Sequence, residues 1–436
     1  MPVPTRGDAA SLNPVAPPGR SVPLPVVWLI GALGVLAAYW YLRQALLPPR
    51  AMFPLDDLDV YRVAADRVVQ GVSVYDTPLR GHARGEWEFV YTPFAALLFV
   101  PLVMLHGASL TLAGALGNVA LLAGSVWAAL SLLGFRRDRR LLIVIPAATA
   151  VLLWCEPTRQ TIGLGQVNLL LLLLVLADMT LPDSSRWKGA LTGIAAGIKL
   201  TPAFFILYLL VTGRFRAAAA AAGACAATLA IGLAVMPKDS LTFWSGAFAD
   251  PARVGVPGNP DNESLRGLLA RSLGSGGLAQ LLWPAAAFAT ALACLVVARR
   301  LSATGQELAA LTLCGMTAAA ISPYTWIHHW VWLAPLLICT ADLTVRHRSA
   351  LTAAALIAIF LLCSGGVFPF LGLPSESILR LADPGHFAVI VHNAYIWLTV
   401  ALLVAAAIAT RHRARPTTRG LVKTGPVASN SRVSSA

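Results

Sequence analysis

Apolar and polar residues in this chain of 436 residues come in long blocks, and the apolar blocks show no two-residue alternation. A transmembrane barrel would show alternating segments of about ten residues, so the blocks predict helices, which satisfy their own backbone inside hydrocarbon. The first apolar block, residues 24–47, predicts a membrane-spanning helix. The polar segment 48–91 follows it, and within that segment residues 59–70 carry the amphipathic pattern of a helix lying along the membrane surface. Later blocks are separated by short basic loops and by two further polar loops, 238–277 and 372–393. Several blocks are shorter than the about 20 residues a helix needs to cross a hydrocarbon core. Residues 92–105 contain Pro101, and residues 141–155 and 167–179 flank the polar stretch 156–166. These predict broken or re-entrant helices around a buried cavity, because irregular backbone at membrane depth persists only where it lines one. The expected architecture is all-α and polytopic, with roughly ten to twelve spans.

Composition agrees. With 57% hydrophobic residues, 12% charged residues and a mean hydropathy of +0.70, the chain carries more apolar surface than a soluble core could hide. Its net charge of +13 does not imply nucleic acid, since the basic residues sit in short clusters between apolar blocks. Arg136, Arg137, Arg139 and Arg140 form one cluster, Arg186 and Lys188 a second, and Arg214 and Arg216 a third. The positive-inside rule puts these loops in the cytoplasm, and the polar loops 48–91, 238–277 and 372–393 outside. Residues 1–23 are Pro-rich and polar and do not resemble a signal peptide; they read as a cytoplasmic segment before a retained first span. Residues 411–436 hold six basic residues and no acid, which predicts a disordered cytoplasmic tail after a multispanning domain, 24–410. The six cysteines lie in or beside apolar blocks with no C-x-x-C spacing and read as small buried hydrophobes.

The acids are uneven. Seven of twenty, Asp56, Asp57, Asp59, Asp66, Asp76, Glu86 and Glu88, fall within residues 48–91. There is no phosphate-binding G-x-x-x-x-G-K-[ST], no strand-associated G-x-G-x-x-G and no H-E-x-x-H. An ATP-driven pump, a dinucleotide enzyme and a common class of membrane metalloprotease are thereby disfavoured. Asp57-Leu58-Asp59 spells D-x-D, a metal-holding motif in soluble nucleotide-sugar transferases, but without the α/β domain that gives it its geometry. Lys199 is the one lysine inside an apolar block. Burying an ammonium is costly unless an anion neutralises it, so it points to a lipid phosphate, a carboxylate partner or a snorkelling side chain.

Five short runs occur in order: Asp56-Asp57-Leu58-Asp59-Val60-Tyr61, with Gly71 and Tyr75-Asp76 after it; Tyr91-Thr92-Pro93-Phe94; Gly165-Gln166-Val167-Asn168; Gly197-Ile198-Lys199-Leu200-Thr201-Pro202; and residues 322–330, S-P-Y-T-W-I-H-H-W. Together they resemble the actinobacterial polyprenyl-phosphomannose-dependent α-1,2-mannosyltransferases over roughly residues 24–410. The resemblance implies the type C glycosyltransferase fold, no cofactor and no metal. It also implies a polyprenyl-phosphate-mannose donor and a mannosylated glycolipid acceptor, a phosphatidylinositol mannoside or lipomannan, met on the outer face of the plasma membrane. The family pattern D-L-x-V-Y places a catalytic base at Asp57, with Asp59 as the alternative. His328 or His329 is expected to orient that base or contact the donor phosphate. Neighbours on a helix diverge by about 100°, so only one of the two histidines is expected to act at the site, the alternative to that role being a satisfied interfacial histidine close to Trp326 and Trp330. Tyr61, Tyr91, Gln166 and Asn168 are candidate sugar contacts, the two amides alternatively caps of a broken helix. Arg159 and Arg266 are candidate head-group contacts or ordinary loop charges. Two departures stand out: the usual Y-P-P-F is Y-T-P-F, and the expected N-Q-S is Asn262-Glu263-Ser264. Rival readings are transfer of another carrier-linked sugar such as arabinofuranose, a lipid flippase or secondary transporter, and a non-catalytic assembly subunit.

Overall fold

Lipid as solvent leaves helix packing to shape and to polar side chains, and the helices here divide accordingly. The computed structural model describes residues 19–46, 53–82, 85–250, 253–364, 377, 379 and 387–413. Residues 1–18 of the expected N-terminal segment and 414–436 of the expected basic tail, and much of the third polar loop, lie outside the described residues. The helices are α1 Leu24–Leu46, α2 Asp56–Gln70, α3 Pro93–Phe99, α4 Gly107–Leu132, α5 Leu141–Leu152, α6 Glu156–Leu164, α7 Asn168–Thr180, α8 Ala190–Ile198 and α9 Phe204–Val211. They continue as α10 Phe215–Val235, α11 Pro237–Ser245, α12 Leu265–Leu273, α13 Gly277–Ala303, α14 Glu307–Ile321, α15 Leu333–His347, α16 Ala350–Cys363, α17 Ala388–Val391 and α18 Ala394–Arg413. A short antiparallel hairpin pairs Arg80–His82 with Gly85–Trp87.

The chain is a multi-pass helical membrane protein. Among the described residues, α1, α4, α10, α13 and α18 are each long and apolar enough to cross a membrane, and α5 with α6, bent by 85°, forms a broken span or a re-entrant loop. Five further apolar helices of 10–17 residues accompany them. The expected ten to twelve spans thus divide into full crossings and short helices, because polar or proline-containing breaks interrupt several apolar blocks. Pro157 occupies the first turn of α6, where a missing N–H costs nothing, and the chain turns sharply just before it. Small residues let neighbours approach: Gly193 and Gly197 of α8 pack against Ala221 and Thr228 of α10, and Gly34 of α1 against Ala147 of α5. Ala217, Ala218 and Ala221 of α10 are buried. All cysteines but Cys225 are buried.

The polar segments are more structured than their composition suggests. Residues 238–277 include α11 and α12, and Ser264 caps α12 by accepting from the Gly267 N–H at 3.1 Å. Asn262 and Glu263 brace the chain at Thr325: Asn262 Oδ1 accepts from the Thr325 N–H (3.1 Å), and the Glu263 N–H donates to the Thr325 carbonyl (2.6 Å).

The two ends of the bundle differ in charge. Gly114, near the start of α4, packs against Leu58 of α2, while the far end of α4 leads to Phe135 and the basic loop 136–140. Arg20 joins that end through backbone bonds to Gly134 and Arg136, and pairs with Asp342 at 2.8 Å. The loop after α7 holds Asp183 and Lys188 (2.7 Å apart), and Arg214 reaches both Asp183 and Glu307. Asp178, fully buried, fastens that loop: its carboxylate accepts from the Gly189 N–H (2.8 Å) and from the N–H and hydroxyl of Thr192 (3.2 and 2.5 Å), capping the start of α8. Asp178→Ala should leave these donors unsatisfied and cost about 2 kcal/mol, read as a lower thermal midpoint in detergent. An unchanged midpoint would mean that the cap is not what holds α8.

Candidate active site

The acids at the start of α2 are positioned by one unusual residue. Leu55 adopts a left-handed conformation (φ 50°), and its N–H donates to the Gly163 carbonyl of α6 at 2.9 Å. A left-handed leucine is strained, so the contact with α6 fixes where α2 begins. Asp56, Asp57 and Asp59 then occupy the first turn, where the helix dipole favours negative charge. Successive residues on this helix point to different faces. Asp59 pairs with Arg62 and Arg80 (both 3.3 Å), and Asp56 shares Arg80 at 3.2 Å. Asp57 instead turns toward the bundle, half-buried, with the Gln166 amide beside its carboxylate. Burial pushes its carboxyl up to about 6, against the opposing pull of Gln166 and of the Lys199 charge. The two carboxylates of the D-x-D run are therefore engaged by different partners. Among the described residues no three His, Cys, Asp or Glu side chains converge to hold a metal ion.

The break between α6 and α7 supplies the next groups. Gly165 ends α6 at φ 70° and lies against the Leu58 side chain. A β-carbon there would collide with α2, so glycine is required by contact as well as by φ. Gln166 follows, with Oε1 2.7 Å from Tyr61 Oη and 2.8 Å from Tyr91 Oη, and the two phenol oxygens are 2.7 Å apart. Phe99 stacks on Tyr61 at 4.4 Å. Asn168 begins α7 and bridges two elements: Nδ2 donates to the His328 carbonyl (3.0 Å), and Oδ1 accepts from Lys199 Nζ (3.2 Å).

Lys199 stands where α8 ends in extended backbone before Pro202. Its Nζ is 2.9 Å from His329 Nε2 and 5.3 Å from the centre of the Tyr91 ring. Thr92, the residue that departs from the proline pattern, caps α3 by accepting from the Ala95 N–H (3.2 Å) and donates to the Gly197 carbonyl of α8 (2.5 Å). A proline there could make neither bond, so the substitution ties α3 to the end of α8. His328 and His329 belong to a 3-10 turn, Ile327–His329, with their rings perpendicular and 4.7 Å apart.

These elements enclose a cavity of about 2330 Å³. Asp57, Tyr61, Tyr91 and Gln166 border it on the α2 side, and Lys199, His328 and His329 border it too. Arg159 and Arg266 also line it, with Arg266 over the Trp283 ring at 5.2 Å. Both histidines face the cavity, in place of the single one expected from helical spacing, because they lie on a tight turn outside any α-helix. Asp59 is not in the wall. Asn168 lines a small adjoining pocket with Lys199 and His329. Sequence reasoning passed over Asp56, Arg253 and Glu88 as wall residues; Arg253 pairs with Glu88 at 2.7 Å and donates to the Tyr75 carbonyl. Nothing in the local sequence around Arg253 marks it, since its partners come from residues far earlier in the chain.

The family pattern described as Glycosyltransferase family 87 matches residues 89–323, more than half of the chain. The chain belongs to glycosyltransferase family 87. Two relatives carry the name polyprenol-phosphate-mannose-dependent alpha-(1-2)-phosphatidylinositol pentamannoside mannosyltransferase. The one from Mycobacterium tuberculosis is 32% identical over 78% of this chain and 77% of its own length. The one from Mycolicibacterium smegmatis is 33% identical over 72% and 74%. A polyprenol-phosphate-mannose-dependent alpha-(1-2)-phosphatidylinositol mannoside mannosyltransferase from M. smegmatis is 30% identical over 78% and 82%. The crystal structure of ArnT from Cupriavidus metallidurans bound to undecaprenyl phosphate aligns with a TM-score of 0.42 and 15% identity, over 90% of this chain and 73% of that one.

This family 87 chain is thus a membrane-embedded glycosyltransferase whose polar residues converge on one cavity. The glycine that sets their spacing gives a direct test. Gly165→Ala should cost about 1–2 kcal/mol from its left-handed backbone. By displacing Leu58 and Asp57 it should also lower turnover at least about tenfold, since a 1 Å misplacement can cost about 10²-fold. Gly117→Ala, facing open space inside α4, should leave both stability and turnover near normal. Equal effects of the two substitutions would contradict this placement of α2.

Proposed function

We propose that the chain transfers mannose from a polyprenyl-phosphate carrier to a mannose hydroxyl of a phosphatidylinositol mannoside or lipomannan acceptor. The reaction forms an α-1,2 linkage with inversion, at the outer face of the plasma membrane. One observation carries the reading: a half-buried carboxylate, Asp57, and the Lys199–His329 pair border the same large cavity. The names of the family relatives supply the donor and acceptor classes. Family membership also favours the type C arrangement of spans, with residues 24–410 as one multispanning domain. The orientation rests on charge, since the basic loops gather at the end of the bundle away from α2 and the positive-inside rule keeps them in the cytoplasm.

The chemistry asks little beyond these groups. Asp57 accepts the proton of the acceptor hydroxyl as its oxygen attacks the anomeric carbon. The bond from that carbon to the phosphate oxygen breaks, and the polyprenyl phosphate leaves with the electron pair. Phosphate is already a good leaving group, so it needs charge stabilisation from Lys199 and a cavity histidine more than a partner acid. In-line displacement of a β-linked mannosyl phosphate yields the α-mannoside. No nucleotide, cofactor or metal enters. Tyr61, Tyr91, Gln166 and Asn168 build the wall around the transferred sugar, and Arg159 and Arg266 are assigned to the lipid head groups. Binding both lipidic substrates in one cavity contributes proximity and orientation, worth several kcal/mol, roughly, of the barrier.

The test is transfer by purified protein from labelled polyprenyl-phosphomannose to a panel of phosphatidylinositol mannosides, with the product linkage mapped. Asp57→Asn should bind donor yet lose at least about 10²-fold in turnover, the scale of a lost general base. Asp59→Asn should cost much less, because its carboxylate is held by Arg62 and Arg80. A base must be ionised to act, so activity of the wild type should fall as pH drops through about 6. Transfer should survive EDTA. Near-normal turnover by Asp57→Asn, or a reversible loss on chelation, would overturn the assignment.

A further inference from the structure

Tyr61, Tyr91 and Gln166 match their family motifs and border the cavity, yet their polar atoms point mainly at one another. The three oxygens, Tyr61 Oη, Tyr91 Oη and Gln166 Oε1, form a triangle with edges of 2.7, 2.7 and 2.8 Å. Each phenol has one hydrogen and the amide oxygen has none. Two hydrogens cannot fill three edges, and because the Tyr61–Tyr91 edge has room for only one of them, keeping both inside the triangle makes Oε1 accept at least one. The amide oxygen is thereby fixed on the tyrosine side. Its NH2 group must face the other way, where the Asp57 carboxylate receives it. A flipped amide would set its oxygen against the carboxylate and forfeit that bond.

The phenols are themselves immobile. Tyr61 is fully buried and stacked on Phe99, its ring edge-on to Tyr91 at 5.1 Å. Through Gln166 the triangle is tied to the break at 165–168. We propose that Gln166, oriented by Tyr61 and Tyr91, is a positioning residue that occupies one oxygen of Asp57 and leaves the other free for the acceptor hydroxyl.

This inference rests on the reading of Asp57 as the base. It differs in what it assigns to the amide: Gln166 holds the base, and its effect belongs to the chemical step more than to sugar affinity. The charged and titratable groups facing Asp57 are Asp56 on its own helix, Tyr61, Tyr91 before α3, and Lys199 at the end of α8. Lys199 and the Gln166 bond favour the ionised carboxylate, while Asp56 and burial oppose it. Removing the amide therefore moves the carboxyl upward.

The experiment is the pH profile of steady-state transfer from polyprenyl-phosphomannose to a phosphatidylinositol mannoside, for wild type, Gln166→Met and Tyr91→Phe. Gln166→Met should lower kcat about tenfold or more, change donor and acceptor KM little, and shift the acid limb up by about half a pH unit or more. Tyr91→Phe keeps the buried ring and should move both quantities the same way by less. Once Asp57→Asn is present, adding Gln166→Met should cost little further turnover. A raised KM with an unmoved acid limb would make Gln166 a sugar ligand and overturn the proposal. A lowered kcat with an unmoved limb would make it only a structural support, and overturn it equally. Near-normal turnover by Asp57→Asn alone would instead remove the base reading itself, a failure distinguishable from the other two.

Discussion

Four residues where α6 gives way to α7, Gly165 to Asn168, fix the relation between the acidic and the basic side of the cavity. Gly165 allows Leu58 and hence the first turn of α2 to come down on α6. Gln166 meets the tyrosine pair and Asp57, and Asn168 meets Lys199 and the histidine turn. With one residue between them, the two amides address opposite groups from a single rigid segment. A continuous helix would also turn residues two apart to different faces, but it would not hold Gly165 in the left-handed conformation that ends α6 against Leu58. The broken helix is the device that spaces the site.

The surroundings follow from the need to satisfy polar groups in an apolar setting. Each break exposes backbone donors and acceptors, and each is answered by a side chain: Thr92 for the Gly197 carbonyl, Thr161 and Asn168 for the His328 carbonyl, Asn262 for the Thr325 N–H. Such bonds are individually worth about 1 kcal/mol, but leaving a buried partner unsatisfied costs more, which holds the breaks in one conformation. The cavity is thus built from segments that lipid alone would not tolerate.

Much of this was legible in the sequence, and for physical reasons. Apolar blocks interrupted by Pro101 and by the polar stretch 156–166 are locally incompatible with an unbroken span: α3 ends just before Pro101, α5 ends before the polar stretch, α6 lies within it and α7 starts after it. The amphipathic pattern in 59–70 is α2, which starts earlier, at Asp56. The separation of Asp57 from Asp59 follows once that segment is helical. Other features depend on distant partners and left no local trace. Helices α11 and α12 lie in a stretch whose glycines, prolines and asparagines read as loop; α12 is held by the bonds of Asn262 and Glu263 to Thr325, and α11 by the Ser73–Asp239 hydrogen bond and the Tyr75–Phe243 ring contact. The histidine pair sits on a 3-10 turn, so the 100° argument that set one against the other did not apply. Tyr61, Tyr91 and Gln166 are 30 to 105 positions apart, and no periodicity could announce that their oxygens meet.

In the proposed reaction one cavity holds the base and the leaving phosphate on opposed groups across the 165–168 break. The most direct measurement is a structure of the protein with polyprenyl-phosphomannose bound. The account predicts the phosphate within hydrogen-bond distance, about 3 Å, of Lys199 Nζ, and the anomeric carbon of mannose between it and the Asp57 carboxylate. A phosphate bound instead at Arg159 and Arg266, with Asp57 more than a sugar ring away from the anomeric carbon, would contradict it.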